Sequence, residues 1–174
     1  MSYMPQNFPA SGVAMADHNQ GLLVPKRFFL GAGSGDSKYP LCAFDRALLA
    51  AGVGNTNLVR LSSILPPHCR RIDPMPLPQG ALVPIAYAGL TDSTPGTTIA
   101  AAVAIAFPED ENHCALIMEY SSKGRLAEVE EQVRDMAREN MLFRGQKIRE
   151  ILSVGAEHTV AQHGSAFACV VSLP

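Results

Sequence analysis

Surplus charge is the first thing this sequence lacks. Fourteen Lys and Arg residues stand against sixteen Asp and Glu, a formal net charge of −2. A broad electrostatic footprint for nucleic acid is therefore excluded, and polyphosphate or anionic-membrane partners gain no support. No apolar run approaches the roughly 18–20 residues a membrane-spanning helix needs. The opening residues lack the basic-then-apolar order of a secretory leader, so none is expected. Cysteine is scattered: Cys42, Cys69, Cys114 and Cys169 form no CxxC pair. Scattered thiols in a chain large enough to build its own core predict reduced cysteines and a cytoplasmic protein. His68 and Cys69 have no second ligand pair close by, and His113, His158 and His163 read as surface or strand-end residues, so no metal centre is expected.

Several motifs are also missing. The glycines of "GAGSGDSKYP" at 31–40 match neither GxGxxG nor a loop ending in GK[ST]. The stretch reads as a flexible loop rather than a phosphate cradle. No GxSxG elbow accompanies the serines, which argues against a serine hydrolase built on Ser63. No internal repeat is evident.

What is present suits a single domain of residues 21–174, preceded by an arm at 1–20 that mixes Pro, Gly, Asn, Gln and Ser without period and is expected to be mobile. Strands are predicted at 22–31, 57–65, 81–90, 97–107, 113–121, 148–161 and 166–173. Helices are predicted over the stretch "YPLCAFDRALLAAGVG", with Pro40 in the first turn and Gly52 or Gly54 at the C-cap, and over 125–143. In the second helix Leu126, Val129, Val133, Met136 and Ala137 recur at three- and four-residue steps, and Glu130 and Arg134 form a favourable i,i+4 pair. Along 97–107 one face carries Ile99, Ala101, Val103, Ile105 and Phe107, and the other carries only alanines. Such a strand is covered on both sides, and the alanine face implies a close approach. Many strands with only two helices predict an α+β fold, with stacked β-sheets and helices outside.

Three features sit awkwardly in this pattern. Asp45 is the first. At about 100° per residue, with Leu41 at zero, Phe44 lies near 300°, Leu48 near 340°, Leu49 near 80° and Asp45 near 40°. Asp45 thus falls inside the apolar arc, where a carboxylate is costly unless paired and hydrogen-bonded. It either caps backbone or awaits a cation, a guanidinium or amine being the natural one. Glu119 is the second. It shares a strand face with Ala115, Ile117 and Ser121, and is either a strand-end Glu reaching water or a carboxyl raised by desolvation into the range of a proton donor. The third is "NLVRLSSILPP" at 57–67. The adjacent serines form either a polar strand end or a bond at which a serine hydroxyl attacks the preceding carbonyl. Such an N→O acyl shift followed by β-elimination leaves a pyruvoyl group. It needs a strained peptide and an oxyanion donor; Pro66 and Pro67 restrict the backbone just downstream, and Asn57 could supply an amide.

The stretch "CAFDRALLAAGVGNTNLVRLSSILPP", followed by "PGTTIAAAVAIAFPED" and "LIMEYSSKG", resembles the pyruvoyl-dependent arginine decarboxylases over roughly residues 24–172. The AFD, GxxN, SSIxPP and EYS segments agree with that family in type and order. The resemblance implies cleavage between Ser62 and Ser63, giving a β chain of 1–62 and an α chain of 63–174 that begins with a pyruvoyl group derived from Ser63. It implies a homotrimer of αβ pairs with active sites between subunits, and L-arginine converted to agmatine and CO2 through a Schiff base. On this likeness Asp45 holds the substrate guanidinium, Leu41 and Gly54 line the pocket, Asn57 serves processing and Glu119 is the proton donor. Thr56 departs from the apolar residue expected there, and "HCRRI" is more basic than expected. The competing readings are a pyruvoyl decarboxylase of another cationic amino acid, such as ornithine or lysine, and an uncleaved, non-catalytic trimeric binding protein.

Overall fold

The alanine face of the central strand fixes the layering of the whole molecule. The computed structural model describes residues 22–174, so the arm expected at 1–20 lies outside the described residues. The elements run β1 (Arg27–Ser37), α1 (Pro40–Ala50), β2 (Asn57–Arg60), β3 (Ile64–Leu65), β4 (Arg70–Arg71), β5 (Leu82–Asp92), β6 (Thr98–Pro108), β7 (Ala115–Lys123), α2 (Leu126–Phe143), β8 (Ile148–Thr159) and β9 (His163–Leu173). One sheet has the order β2-β5-β9-β1-β4, the other β3-β7-β6-β8. On β6, Ala100, Ala102, Ala104 and Ala106 pack with Val129, Val133, Ala137 and Met141 of α2. The opposite face places Ile99, Ala101, Val103 and Ile105 against Phe28, Ala86, Ala88, Ala168 and Val170 of the five-stranded sheet. Helix α1 covers the far side of that sheet through Ala47, Phe29, Ile85 and Phe167. The layers are helix, sheet, sheet, helix, as the stacked α+β expectation had it. Among the described residues no helix is long and apolar enough to cross a membrane, and the four cysteines are free thiols.

The glycine-rich stretch is a strand, not a loop. It continues β1 to Ser37, pairing residue by residue with β9 from Arg27↔Leu173 to Ser37↔His163. The reason is the closeness of α1. A Cβ on Gly33 would lie 2.5 Å from the Ala47 carbonyl oxygen and from the Ala51 nitrogen, and one on Gly35 would lie 2.5 Å from the Arg46 Cβ. Alternate glycines thus make a flat track on which the helix backbone rests. Residues 22–26, which the hydropathy pattern assigned to the first strand, precede it.

The same closeness corrects the reading of α1. Small residues must face the track, so the buried stripe is Ala43 and Ala47, with Phe44 and Leu48 half-buried beside it. Leu41 is 77% exposed, Leu49 is 49% exposed, and Asp45 is exposed too. A wheel weighted by hydrophobicity puts Asp45 in the buried arc. Packing against glycines selects by size instead and turns it outward. On α2 the expected Glu130–Arg134 pair is bridged rather than direct: Arg134 Nη1 donates to Ser153 Oγ at 2.8 Å, and that hydroxyl donates to Glu130 Oε1 at 2.6 Å.

Asp36, at the end of the track, holds the turn that carries β8 of one sheet into β9 of the other. Its carboxylate accepts from the backbone N–H groups of Ala161 (2.8 Å) and Gln162 (3.0 Å) and lies 3.1 Å from His158 Nε2. Burial pushes the carboxyl up, but the Ala161 amide, His158 and the Gln162 amide outweigh it, and the pKa lies below the usual carboxylate value.

Two outcomes follow from this packing. Gly33→Ala should destabilise the fold by about 1–3 kcal/mol, because the new methyl meets helix backbone that cannot swing aside; urea unfolding checks it, and wild-type stability would contradict the track. A carboxyl depressed in the folded state contributes stability above its unfolded pKa and loses it as pH falls through the folded value. Asp36→Asn should therefore lower the melting temperature at pH 7 and converge on the parent once pH falls below the depressed folded value.

Candidate active site

The stretch 57–65 is not one strand. Residues 57–60 pair in parallel with β5 at the edge of the five-stranded sheet, and residues 64–65 pair antiparallel with β7 at the edge of the four-stranded sheet. Leu61, Ser62 and Ser63 carry the chain between the two. Both ends of this step are pinned. The Leu61 amide donates to the Ile85 carbonyl at 2.9 Å, and the Ser63 carbonyl accepts from the Ile117 amide at 2.9 Å. The Ser62–Ser63 peptide thus lies between hydrogen bonds to different sheets. Ser63 takes φ +73°, the left-handed region in which a side-chain-bearing residue costs about 1–2 kcal/mol.

Glu119 meets this step from β7. Its strand face, shared with Ile117, looks into the space between the sheets, and the side chain is half-buried. The Ser63 hydroxyl donates to Glu119 Oε1. Burial pushes the Glu119 carboxyl up; the Ser63 hydroxyl and the charge of Arg60 oppose this, and the balance remains above the ordinary value. Half-buried and raised by desolvation, Glu119 is not a strand-end carboxyl standing in open water.

Arg60 and Tyr87 escaped the sequence analysis. Arg60 ends β2 with its guanidinium carbon 4.6 Å from the centroid of the Tyr87 ring, and its Nη2 donates to the Tyr87 carbonyl at 3.2 Å. The available signal was a lone cation two residues before the serine pair. Its meaning depended on a parallel pairing with β5 that no local pattern announces.

The other candidates lie elsewhere. Asn57 Nδ2 donates to the Gly80 carbonyl at 2.9 Å, and its amide donates to Ala81 at 2.8 Å, which fastens the start of β2 rather than touching the serine pair. Gly54 lies under the end of α1, where a Cβ would fall 2.7 Å from the Leu49 nitrogen. Leu41 and Asp45 share the exposed side of α1. That helix packs on β1, β9 and β5, whereas Glu119 belongs to the other sheet. One chain therefore joins Ser63 to Glu119 but leaves Asp45 on a separate surface.

Known proteins give this arrangement a class. The family model described as "Pyruvoyl-dependent arginine decarboxylase (PvlArgDC)" matches residues 27–173. Proteins named pyruvoyl-dependent arginine decarboxylase from Methanococcus maripaludis (strain C6) and Methanocaldococcus jannaschii are 48% and 49% identical, each over 83% of this chain and 88% of the relative. One of that name from Pyrococcus furiosus is 41% identical over 87% of this chain and 98% of its own length. The class is that of carbon–carbon lyases working with a covalent pyruvoyl group. The chain belongs to the pyruvoyl-dependent arginine decarboxylase family. Its residues fit the group that name carries: a serine is present, its left-handed backbone is strained, and its hydroxyl already meets a desolvated carboxyl.

Arg60 faces a test here. Arg60→Met should raise the Glu119 carboxyl further, read by NMR of carboxyl-labelled Glu. A carboxyl that stays put or falls would remove Arg60 from the electrostatics of the site.

Proposed function

We propose that this chain cleaves its own Ser62–Ser63 bond and then decarboxylates L-arginine to agmatine and CO2, using the pyruvoyl group that Ser63 becomes. The observation that carries this reading is the pinned and strained Ser63 with its hydroxyl on Glu119. In cleavage the Ser63 Oγ adds to the Ser62 carbonyl carbon, and the C–N bond gives way to an ester. β-Elimination breaks the Ser63 Cβ–O bond, releasing Ser62 as a carboxylate and leaving dehydroalanine. That enamine tautomerises to an imine, which takes up one water, releases ammonia and leaves the ketone. Cleavage also removes the left-handed φ of Ser63, since the residue then has no preceding peptide, so strain in the intact chain favours the reaction. The eleven-residue ladder of β1 with β9 is ample to keep the β chain of 1–62 bound to the α chain of 63–174.

Once formed at position 63, a pyruvoyl carbonyl would offer an electrophile to the substrate amine and a sink for the electron pair freed with CO2. The protein's own residues do the rest. Glu119 carries a proton at a carboxyl raised by burial and returns it to the α-carbon of the product. Conversion of Ser63 removes the hydroxyl that favoured the charged form of Glu119, so the carboxyl rises further in the mature enzyme. The half-buried space between the sheets limits water around that carbon. Asn57 acts on processing at a distance, by fixing where β2 begins.

Substrate recognition falls to Asp45, which an isolated protomer cannot bring to Glu119. A homotrimer of αβ pairs resolves this by laying α1 of one copy over the Ser63 step of the next. Exposed Leu41 and Leu49 flank Asp45 and supply apolar surface for such a contact and for the aliphatic stem of the substrate, with Gly54 in the pocket wall. A carboxylate there can take both oxygens to a guanidinium fork. A lone carboxylate also accepts an ammonium, which keeps ornithine and lysine as the second reading. Four free thiols suit a cytoplasmic setting.

Intact mass with and without borohydride comes first. Two chains split at Ser62/Ser63, the larger without a free amine and gaining hydride mass, are expected; one stable, unreduced chain would point to a non-catalytic trimer. Arginine should turn over at least ten times faster than ornithine or lysine, and equal rates would sink the arginine assignment. Glu119→Gln should cleave yet lose about 100-fold or more in kcat, and the parent's activity should fall as pH rises through the Glu119 pKa.

A further inference from the structure

Beyond Pro66 and Pro67 the chain turns sharply, and the turn walls a cavity outside the site described above. The Cys69 amide reaches back to the Pro66 carbonyl at 3.3 Å, and His68 takes φ +59°, a second strained non-glycine five residues after the first. The cavity holds about 240 Å³ and lies between this turn, the end of β6 and the start of β8. Its wall carries Arg70 and Arg149, His68 and His113, with Glu111 the single carboxylate. Among the lining residues themselves two guanidinium groups face one carboxylate, with Glu150 and Asp110 set behind Arg149 and His113.

These groups are poorly committed to one another. Arg149 reaches Glu111 and, at 3.3 Å, Glu150, but both carboxylates are about half exposed or more. Exposed pairs of this kind are weak and exchange readily for a better acceptor. Arg70 has no ion-pair partner among the described residues, its backbone being held to Lys26 at 2.8 Å. His113 Nδ1 lies 3.0 Å from Asp110, which leaves its other ring nitrogen for a ligand. The Arg149 guanidinium also stands over the Phe107 ring at 5.8 Å, which limits its wandering. Cys69 plays no reactive part, since burial pushes its thiol up to about 11.

We propose that this cavity binds a small oxyanion carrying two negative charges, a phosphate monoester or a dicarboxylate, between Arg70 and Arg149. The fork geometry of guanidinium matches both. Arg70 and His68 stand on the turn that leads out of β3, and Arg149 stands on β8. A bound dianion therefore ties the segment following Ser63 to the far edge of the four-stranded sheet, and steadies the new end of the α chain once cleavage has cut its upstream anchor.

The test uses the purified, assembled protein at fixed ionic strength and pH 7, with chloride as the balancing salt. Inorganic phosphate and malonate are titrated separately, and the melting temperature is followed. A saturable rise with half-effect on the order of 1 mM is expected, weakened at least tenfold in Arg149→Met and in Arg70→Met. Glu111→Gln removes the competing carboxylate from an exposed loop and should tighten binding at least threefold, a gain that a damaged fold does not mimic. Tighter phosphate assigns a phosphoryl ligand and tighter malonate a dicarboxylate, and either supports the site. A response that does not saturate, or one unchanged across the three variants, overturns it. Because the readout is binding, it stands or falls independently of decarboxylation.

Discussion

Everything distinctive in this protein depends on one short crossing. Two sheets lie face to face, and the chain must pass from the edge of one to the edge of the other within three residues. Hydrogen bonds at Leu61 and Ser63 anchor the crossing to opposite sheets, so relaxation on one side is resisted by the other. A peptide held this way cannot relieve a left-handed Ser63 by local rotation without giving up ladder contacts. Strain of about 1–3 kcal/mol persists only where the surroundings over-determine it, and here two sheets do so. The same crossing brings the Ser63 hydroxyl to a carboxyl on the facing strand.

The sandwich gives that carboxyl its chemistry. Glu119 extends toward the gap between the sheets, where it loses water on one side and keeps Ser63 and Arg60 on the other. Burial wins over both, which leaves the carboxyl protonated to higher pH than an exposed Glu. Arg60 tempers the effect and is itself held by Tyr87. The acid is thus set by three elements that are distant in sequence and adjacent only because β2 pairs with β5 at the rim.

Close packing governs the outer layers by a different rule. Glycine in β1 and alanine in β6 let each helix come near its sheet, and that nearness decides which helix residues face inward. On α2 size and hydrophobicity agree, and the periodic pattern marked the buried face of Val129, Val133 and Ala137 correctly. On α1 they conflict. The residues buried on the track are Ala43 and Ala47, and Leu41 and Leu49 are exposed with Asp45 between them. Two large apolar side chains and a carboxylate are thereby left exposed together on one face of the helix.

Some of this was written locally. The two-faced apolar pattern of 97–107 needed only strand alternation to announce a buried central strand, and the lone charge of Glu119 in an apolar run needed only its neighbours. The four separated motifs around the serine pair were enough to place the chain in its family. Other features were beyond local pattern. "GAGSGDSKYP" has the composition of a loop, and only the helix resting on it makes it a strand. "NLVRLSS" reads as one strand because hydropathy does not record a change of sheet. Asp45 sat in the wrong arc because a helical wheel ranks residues by polarity, whereas the surface beneath α1 selects by volume. The sequence by itself determined residue chemistry and the period of the buried faces, since both depend on near neighbours. Only the tertiary structure decided the strain at Ser63, the meeting of Ser63 with Glu119 and the exposure of Asp45, because each depends on contacts between segments that the chain order keeps apart.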